Sequence, residues 1–409
     1  MRRLLGVTLG ILTAIGGFVD IGDIVAASEA GSRFGTSHAW VLVVGVIGIC
    51  VYAEMAGRVT VASTRPVFDL VRERLGPRVA LVNLLGSYLV TVLTLAAEMG
   101  GVALALQLLS GTPYLLWVPL VAVLLWLALW RVRFETLERL FGLAGLALVV
   151  LILAVFWLDT PLGGTFGRAL APAPPAGETW GTYWFFAVAI FASAMTPYEV
   201  FFFSSGGVEE KWTPKDLVVS RVNVLVGFPL GGLLAFGFMA TAAIVFEPAR
   251  TQVSTLGQAV LPTGLAFGQT GLALAILGVF AATFGAAMET SLSAGYTVAQ
   301  YFGWSWGKLL RPRQAARFHT VVLVSILIAV AALLTTIDPV QLTEYMLIFS
   351  AVVLPLTYLP ILVVANDRGY LGDRVNGWFA NTVGLVYLVI VVVAALAALP
   401  LMVLTGMGS

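Results

Sequence analysis

The sequence predicts an all-α polytopic membrane protein, with eleven transmembrane helices forming one transporter domain over residues 1–409. Three observations carry that prediction. First, 60% of the 409 residues are hydrophobic and only 11% are charged, with a mean hydropathy of +0.99; a soluble domain carries about 25% charged residues. Too few charges remain to cover a water-facing surface, which excludes a soluble enzyme. Second, apolar runs of about 20 residues recur along the whole chain between short charged links. Third, the basic side chains alternate between the two ends of those runs in a way that only one span count reproduces. The 22 Lys and Arg against 21 Asp and Glu give a net charge of +1 and no nucleic-acid footprint. One cysteine, Cys50, and two histidines, His38 and His319, leave no disulfide framework and no zinc site.

The spans fall near 5–34, 38–57, 79–110, 114–131, 137–158, 182–204, 217–246, 266–302, 317–337, 340–366 and 376–404. The longest link runs from Asp159 to about Gly181 and contains Ala171-Pro172-Ala173-Pro174-Pro175; it is too short for a domain. Arg2-Arg3 followed by an apolar run imitates a signal peptide, but Asp20, Asp23 and ten further spans argue against one. With the N-terminus inside, only Arg33, Arg168 and Arg250 lie outside; the other 19 of the 22 basic residues lie inside. The positive-inside rule thus places the N-terminus in the cytoplasm and the C-terminus outside, a pattern that fits a bacterial plasma (inner) membrane.

The first and sixth spans are broken. The first meets Asp20-Ile21-Gly22-Asp23 before resuming at Ile24, and the sixth meets Thr196-Pro197-Tyr198-Glu199 after Met195. Such breaks free backbone groups that lipid cannot satisfy, so they are tolerated where they line a cavity. Asp20 and Thr196 stand 176 residues apart at similar depths of two spans that each begin a set of five. Paired interruptions of this kind point to an inverted-repeat transporter with a midplane site. The repeats are read as about 5–158 and 182–366, with 376–404 as an added helix.

An ionised carboxylate at the bilayer centre costs at least about 2.5–3.5 kcal/mol on insertion scales. Asp20 and Asp23 therefore need a cation, protons or water to persist. Unwound carbonyls around Gly22, the Thr196 hydroxyl and the carbonyls before Pro197 would add neutral oxygens, a set suited to a hard divalent cation such as Mg²⁺ or Mn²⁺. The plainer reading has Asp23 facing an aqueous vestibule, with Asp20 alone at work. Glu98 lies in Leu95-Ala96-Ala97-Glu98-Met99-Gly100-Gly101 and serves either a proton relay or a packed helix contact. Glu199 either serves the pocket or bonds freed backbone. Glu54 and Glu289 are expected to pair with polar groups inside the bundle or near an interface, Phe201-Phe202-Phe203 to pack, and Tyr198 to wall the pocket with its hydroxyl.

At these residues the chain resembles the Nramp family of divalent metal transporters, over nearly its whole length. The family's Asp-Pro-Gly-Asn is similar to Asp20-Ile21-Gly22-Asp23, and the stretch after it to Ala30-Gly31-Ser32-Arg33-Phe34-Gly35. Leu70-Val71-Arg72-Glu73-Arg74 is similar to the Arg-Glu-Arg after the second span. The sixth-span Met-Pro-His looks like Thr196-Pro197-Tyr198, with Ser204 matching a downstream Ser. The resemblance implies the leucine-transporter fold, a 5+5 inverted repeat and alternating access. It implies Asp20 as the metal-binding Asp, Asp23 in place of its Asn, Ser193 as a carbonyl donor, and Thr196 in place of Met. It implies Glu98 as the third-span Glu of the proton route. The departures push toward harder ions, because Thr196 replaces a soft thioether and Asp23 a neutral amide. A register slip would bring the adjacent Met195 sulfur inward. Tyr198 replaces a His, Leu95 an Asp, and the ninth-span Arg pair is reduced to Arg317 beside Ala316. Tyr is a poor proton carrier near neutral pH, so these departures point to an uncoupled uniporter driven by the membrane potential.

The expected function is thus secondary transport of a divalent cation, which is substrate and not cofactor; no cofactor, protein partner or nucleic acid is implied beyond the lipid bilayer. The alternatives are a transporter of the same fold carrying an amine or amino acid, and a relative that no longer moves metal.

Overall fold

The computed structural model describes residues 19–132, 134–158, 167–170 and 172–408, and among them the regular structure is helical throughout. The first half of span 1, Arg2, Arg3 and Arg133, the side chain of Arg139, and 159–166 of the longest link lie outside the described residues or side chains. In chain order the elements are α1 (Ile21–Phe34), α2 (Ala39–Ser63), α3 (Val67–Leu75), α4 (Pro77–Ser110) and α5 (Tyr114–Arg131). Next come α6 (Phe134–Gly145) and α7 (Val149–Trp157), joined by a 3₁₀ turn, then α8 (Trp180–Ala194), α9 (Pro197–Glu209), α10 (Leu217–Val222) and α11 (Phe228–Val245). The chain closes with α12 (Leu256–Phe302), α13 (Ala316–Leu334), α14 (Pro339–Val364), the short α15 (Arg368–Leu371) and α16 (Trp378–Leu404). Among the described residues ten spans are long and apolar enough to cross a bilayer, with α8 and α9 counted as one.

Local sequence explains the boundaries. Proline stands at the first or second position of α4, α9 and α14, where its missing N–H costs nothing. Thr255 and Gln258 close a capping box at the start of α12, and Thr213 and Asp216 close another before α10. Gly111 and Gly303 end α4 and α12 in the left-handed region.

Three features depart from the expected spans. Helix α3 is a separate amphipathic element between spans 2 and 3, bounded by Pro66 and Gly76. It buries Val67, Phe68, Leu70 and Val71 and turns Arg72, Glu73 and Arg74 outward. Span 8 starts earlier than 266, because Leu256–Phe302 runs across a kink at Phe267 and Gly268 that interrupts the apolar period. Span 7 is α10 and α11 joined by a π-helical turn at Asn223–Gly227.

The packing brings both breaks to the middle of the bundle. Helix α1 packs against α8, α11 and α14; α4 runs along α12 and α14; α2 lies against α8, α9 and α11. Small residues set these approaches. A Cβ at Gly101 would lie 2.9 Å from Ile21, and one at Gly45 would lie 2.6 Å from Ala194.

Basic side chains tie each end of the bundle to itself. At one end Arg58 donates to the Arg374 carbonyl (2.7 Å) and Asn376 (2.5 Å), Arg72 donates to the Tyr301 carbonyl, and Arg74 pairs with Asp367 at 2.5 Å. At the other, Arg33 pairs with Glu178 at 2.8 Å and bonds the Gly408 carbonyl, while Arg168 pairs with Glu247. Glu54, expected to be paired, meets Arg58 at 3.2 Å and Arg221 at 3.0 Å.

Candidate metal site at the two breaks

The first break is built by Asp20. Its backbone is extended (φ −99°, ψ 179°), and its side chain caps α1 by accepting from the Asp23 N–H at 3.0 Å. The neighbouring Ile21 N–H donates to Glu98 Oε1 of α4, also at 3.0 Å. Two of the N–H groups that a helix start leaves without partners are thereby satisfied by carboxylates. Glu98, expected in a proton relay or a packed contact, thus holds the break of span 1 from the neighbouring helix.

The second break follows from Pro197, which has no N–H to give the Ser193 carbonyl. Helix α8 stops at Ala194 and α9 starts at Pro197, with Thr196 extended between them (φ −64°, ψ 127°). The last carbonyls of α8 therefore lack helical partners. Both half-helices α1 and α9 present their N-termini to the breaks, and those positive ends favour carboxylates there.

Side chains join the breaks. Ser193 Oγ donates to Asp23 Oδ1 at 2.8 Å, and the Tyr198 hydroxyl reaches Asp20 Oδ2 at 3.5 Å. Thr196 Oγ1 donates to Glu199 Oε2 at 3.4 Å. From α12, Ser293 Oγ donates to the Tyr198 carbonyl at 2.9 Å and holds the first turn of α9 in place. Gly22 is closely packed: a Cβ there would lie 2.9 Å from Asp20 Oδ1, Ser193 Oγ and Leu347 Cδ2, and those side chains would have to shift to admit it.

The site is shut off from solvent. Asp20 is 1% exposed, Asp23 2%, Ser193 3%, Thr196 2% and Glu98 0%. Asp23 Oδ2, Glu98 Oε2 and Glu199 Oε1 have no hydrogen-bond partner. None of Asp20, Asp23, Glu98 or Glu199 forms an ion pair with a described residue. Burying a charge costs several kcal/mol per ion unless something compensates it. Among the described residues no three His, Cys, Asp or Glu gather as a metal-binding group.

Asp20, Asp23, Gly22, Ser193 and Tyr198 are brought together, and Thr196 stands in the second break with its hydroxyl bonded to Glu199. Two expected residues stand elsewhere. The Met195 sulfur packs against Gly48 of α2, where a Cβ would lie 2.5 Å from it, because α8 turns that side chain toward the neighbouring helix. Glu98 and Arg317, both expected on a possible proton route, stand apart. Arg317 lies exposed at the start of α13, its guanidinium 5.2 Å above the Trp304 ring, while Glu98 is held at the break. Leu347 was not anticipated, since nothing marks one leucine among the apolar residues of span 10. Ser204 joins α9 to α2 and α3, because its hydroxyl lies 2.7 Å from Thr60 Oγ1 and accepts the Val67 N–H at 2.8 Å.

The profile of the family described as "Nramp: Natural resistance-associated macrophage protein-like" matches residues 10–400. The chain belongs to the Nramp family. It is 24% identical over 409 residues to the divalent metal cation transporter MntH of Deinococcus radiodurans, covering 96% of this chain and 89% of that one. It is 27% identical over 399 residues to the divalent metal cation transporter MntH 1 of Pseudomonas aeruginosa, covering 92% and 87%. Among solved structures, an Eremococcus coleocola manganese transporter matches with a TM-score of 0.71 at 19% identity, over 97% of this chain and 86% of that one. The nucleobase-cation-symport-1 family transporter Mhp1 matches at 0.58 and 17%, over 96% and 91%. These likenesses show the fold, the leucine-transporter arrangement with helices 1 and 6 broken. The Nramp chain described here is a multi-pass membrane transporter and not an enzyme.

Proposed function

We propose that this Nramp chain carries a divalent cation, Mn²⁺ or Mg²⁺, inward across the plasma (inner) membrane by alternating access. The observation that carries the reading is the junction of the two breaks. Asp20 and Asp23 supply two buried charges, Ser193 from the opposite break donates to Asp23, and Asp23 Oδ2 is left without a partner. Two carboxylates match one 2+ ion. The Thr196 hydroxyl and the Ser193 carbonyl add hard oxygens, which suit Mg²⁺ and Mn²⁺ better than softer metals. The relatives named as divalent metal cation transporters and the manganese transporter of the same fold support a metal as substrate.

The inward direction rests on charge. A 2+ ion crossing the full field gains about 4.6 kcal/mol per 100 mV, so the potential suffices without proton coupling. Glu98 engaged at the break and Arg317 exposed at the start of α13 support uncoupled transport. The arginine ties support the span order behind a cytoplasmic N-terminus and an outside C-terminus, and the paired breaks support repeats over about 5–158 and 182–366. Each tie joins residues that the positive-inside count assigns to the same side.

An amine or amino acid is the second reading; the relatives named as divalent metal cation transporters favour the metal. Uptake of Mn²⁺ and Mg²⁺ into proteoliposomes, with Asp20→Ala alongside, tests the reading. Entry of either ion that Asp20→Ala abolishes is expected; uptake that survives Asp20→Ala removes the site.

A further inference from the structure

We infer that Glu199 forms a second cation station on the α9 side of the transport site, with the Thr196 hydroxyl bonded to it. The inference rests on the Asp20–Asp23 reading of the site and extends it by one residue of the opposite helix.

The argument starts from a cap that is not made. Thr196 is the N-cap of α9 and Glu199 its third residue, the spacing of a capping box. In such a box the acid reaches back to the backbone N–H of the cap residue. This chain closes that box at Thr213–Asp216 and at Thr255–Gln258. At Thr196–Glu199 it stays open, and the cap residue makes no side-chain bond to the α9 backbone. Glu199 instead accepts from the Thr196 hydroxyl at 3.4 Å, and its Oε1 has no partner at all. The residue is only 4% exposed, so water does not account for that oxygen by contact with the surface.

The carboxylate is therefore not spent on the helix end, and its one bond points it at the break. A divalent cation between Asp20 and Asp23 balances those two acids and leaves Glu199 uncompensated. Glu98 also has one oxygen without a partner, but its other oxygen is spent on a helix N-terminus at the Ile21 N–H, whereas Glu199 makes no bond to backbone. Glu199 with the Thr196 oxygen makes an oxygen-only pair, the chemistry of a hard divalent cation. The plainer role for a first-turn acid is to offset the positive end of α9.

Counting bound Mn²⁺ on the purified full chain decides between the two roles. The wild-type chain is expected to saturate at two Mn²⁺, Glu199→Gln at one with the tighter affinity changed by less than about threefold, and Asp20→Ala at one weaker ion. Glu199→Gln is also expected to slow Mn²⁺ uptake about tenfold, with Glu199→Asp restoring the second ion as a check on folding. Saturation of the wild-type chain at one ion, unchanged by Glu199→Gln, overturns the second station and leaves the aspartate site standing. No Mn²⁺ bound to the wild-type chain overturns both.

Discussion

Asp23 shows how much one side chain decides in this site. One oxygen is fixed by Ser193 and the other is left open, so Asp23→Asn keeps a hydrogen-bond acceptor and removes a charge. Metal binding to Asp23→Asn is expected to weaken about tenfold or more, read by calorimetry, with the fold intact. Thr196→Met tests the hard-ligand argument directly. A thioether at that position is expected to raise the preference for Mn²⁺ or Cd²⁺ over Mg²⁺ in competition uptake; an unchanged ratio would mean that Thr196 does not touch the ion. Gly22→Ala is expected to abolish uptake, because its methyl group meets Asp20, Ser193 and Leu347 at 2.9 Å. At this scale the sequence was legible where chemistry is rare: two acids and a Thr-Pro stand out in apolar runs. Leu347 and the outward turn of Met195 were not legible, because they depend on which face of a helix meets which neighbour.

At the scale of elements, the breaks are held by side chains from outside them. Glu98 of α4 takes the Ile21 N–H, and Ser204 of α9 ties Thr60 and Val67. Ser204→Ala removes a buried acceptor from the Val67 N–H, and the expected cost is about 1–3 kcal/mol. A lowered Tm in detergent with metal affinity retained would show that the residue acts through the position of α3. Span existence was readable from hydropathy alone, because bilayer thickness sets the length of each apolar run. Helix α3 was not, since nine residues with alternating charge lie below the length that hydropathy detects. The unmade cap at Glu199 was equally hidden: the spacing predicts a closed box, and only the geometry shows it open.

Across the whole molecule, buried negative charge without an ion pair at the centre and arginine ties at the two ends describe a chain arranged around a cation path. The positive-inside count and the two breaks made the architecture legible before any coordinates, because both follow from how lipid treats charge and free backbone. Which ion crosses, and on what driving force, depends on ligand identity within the closed site. The most direct measurement is Mn²⁺ and Mg²⁺ uptake into proteoliposomes under a set membrane potential, with internal pH followed in the same vesicles. The expected result is potential-driven entry without acidification, abolished by Asp20→Ala. Entry that tracks a proton gradient would contradict the uncoupled mechanism, and entry that persists in Asp20→Ala would contradict the site itself.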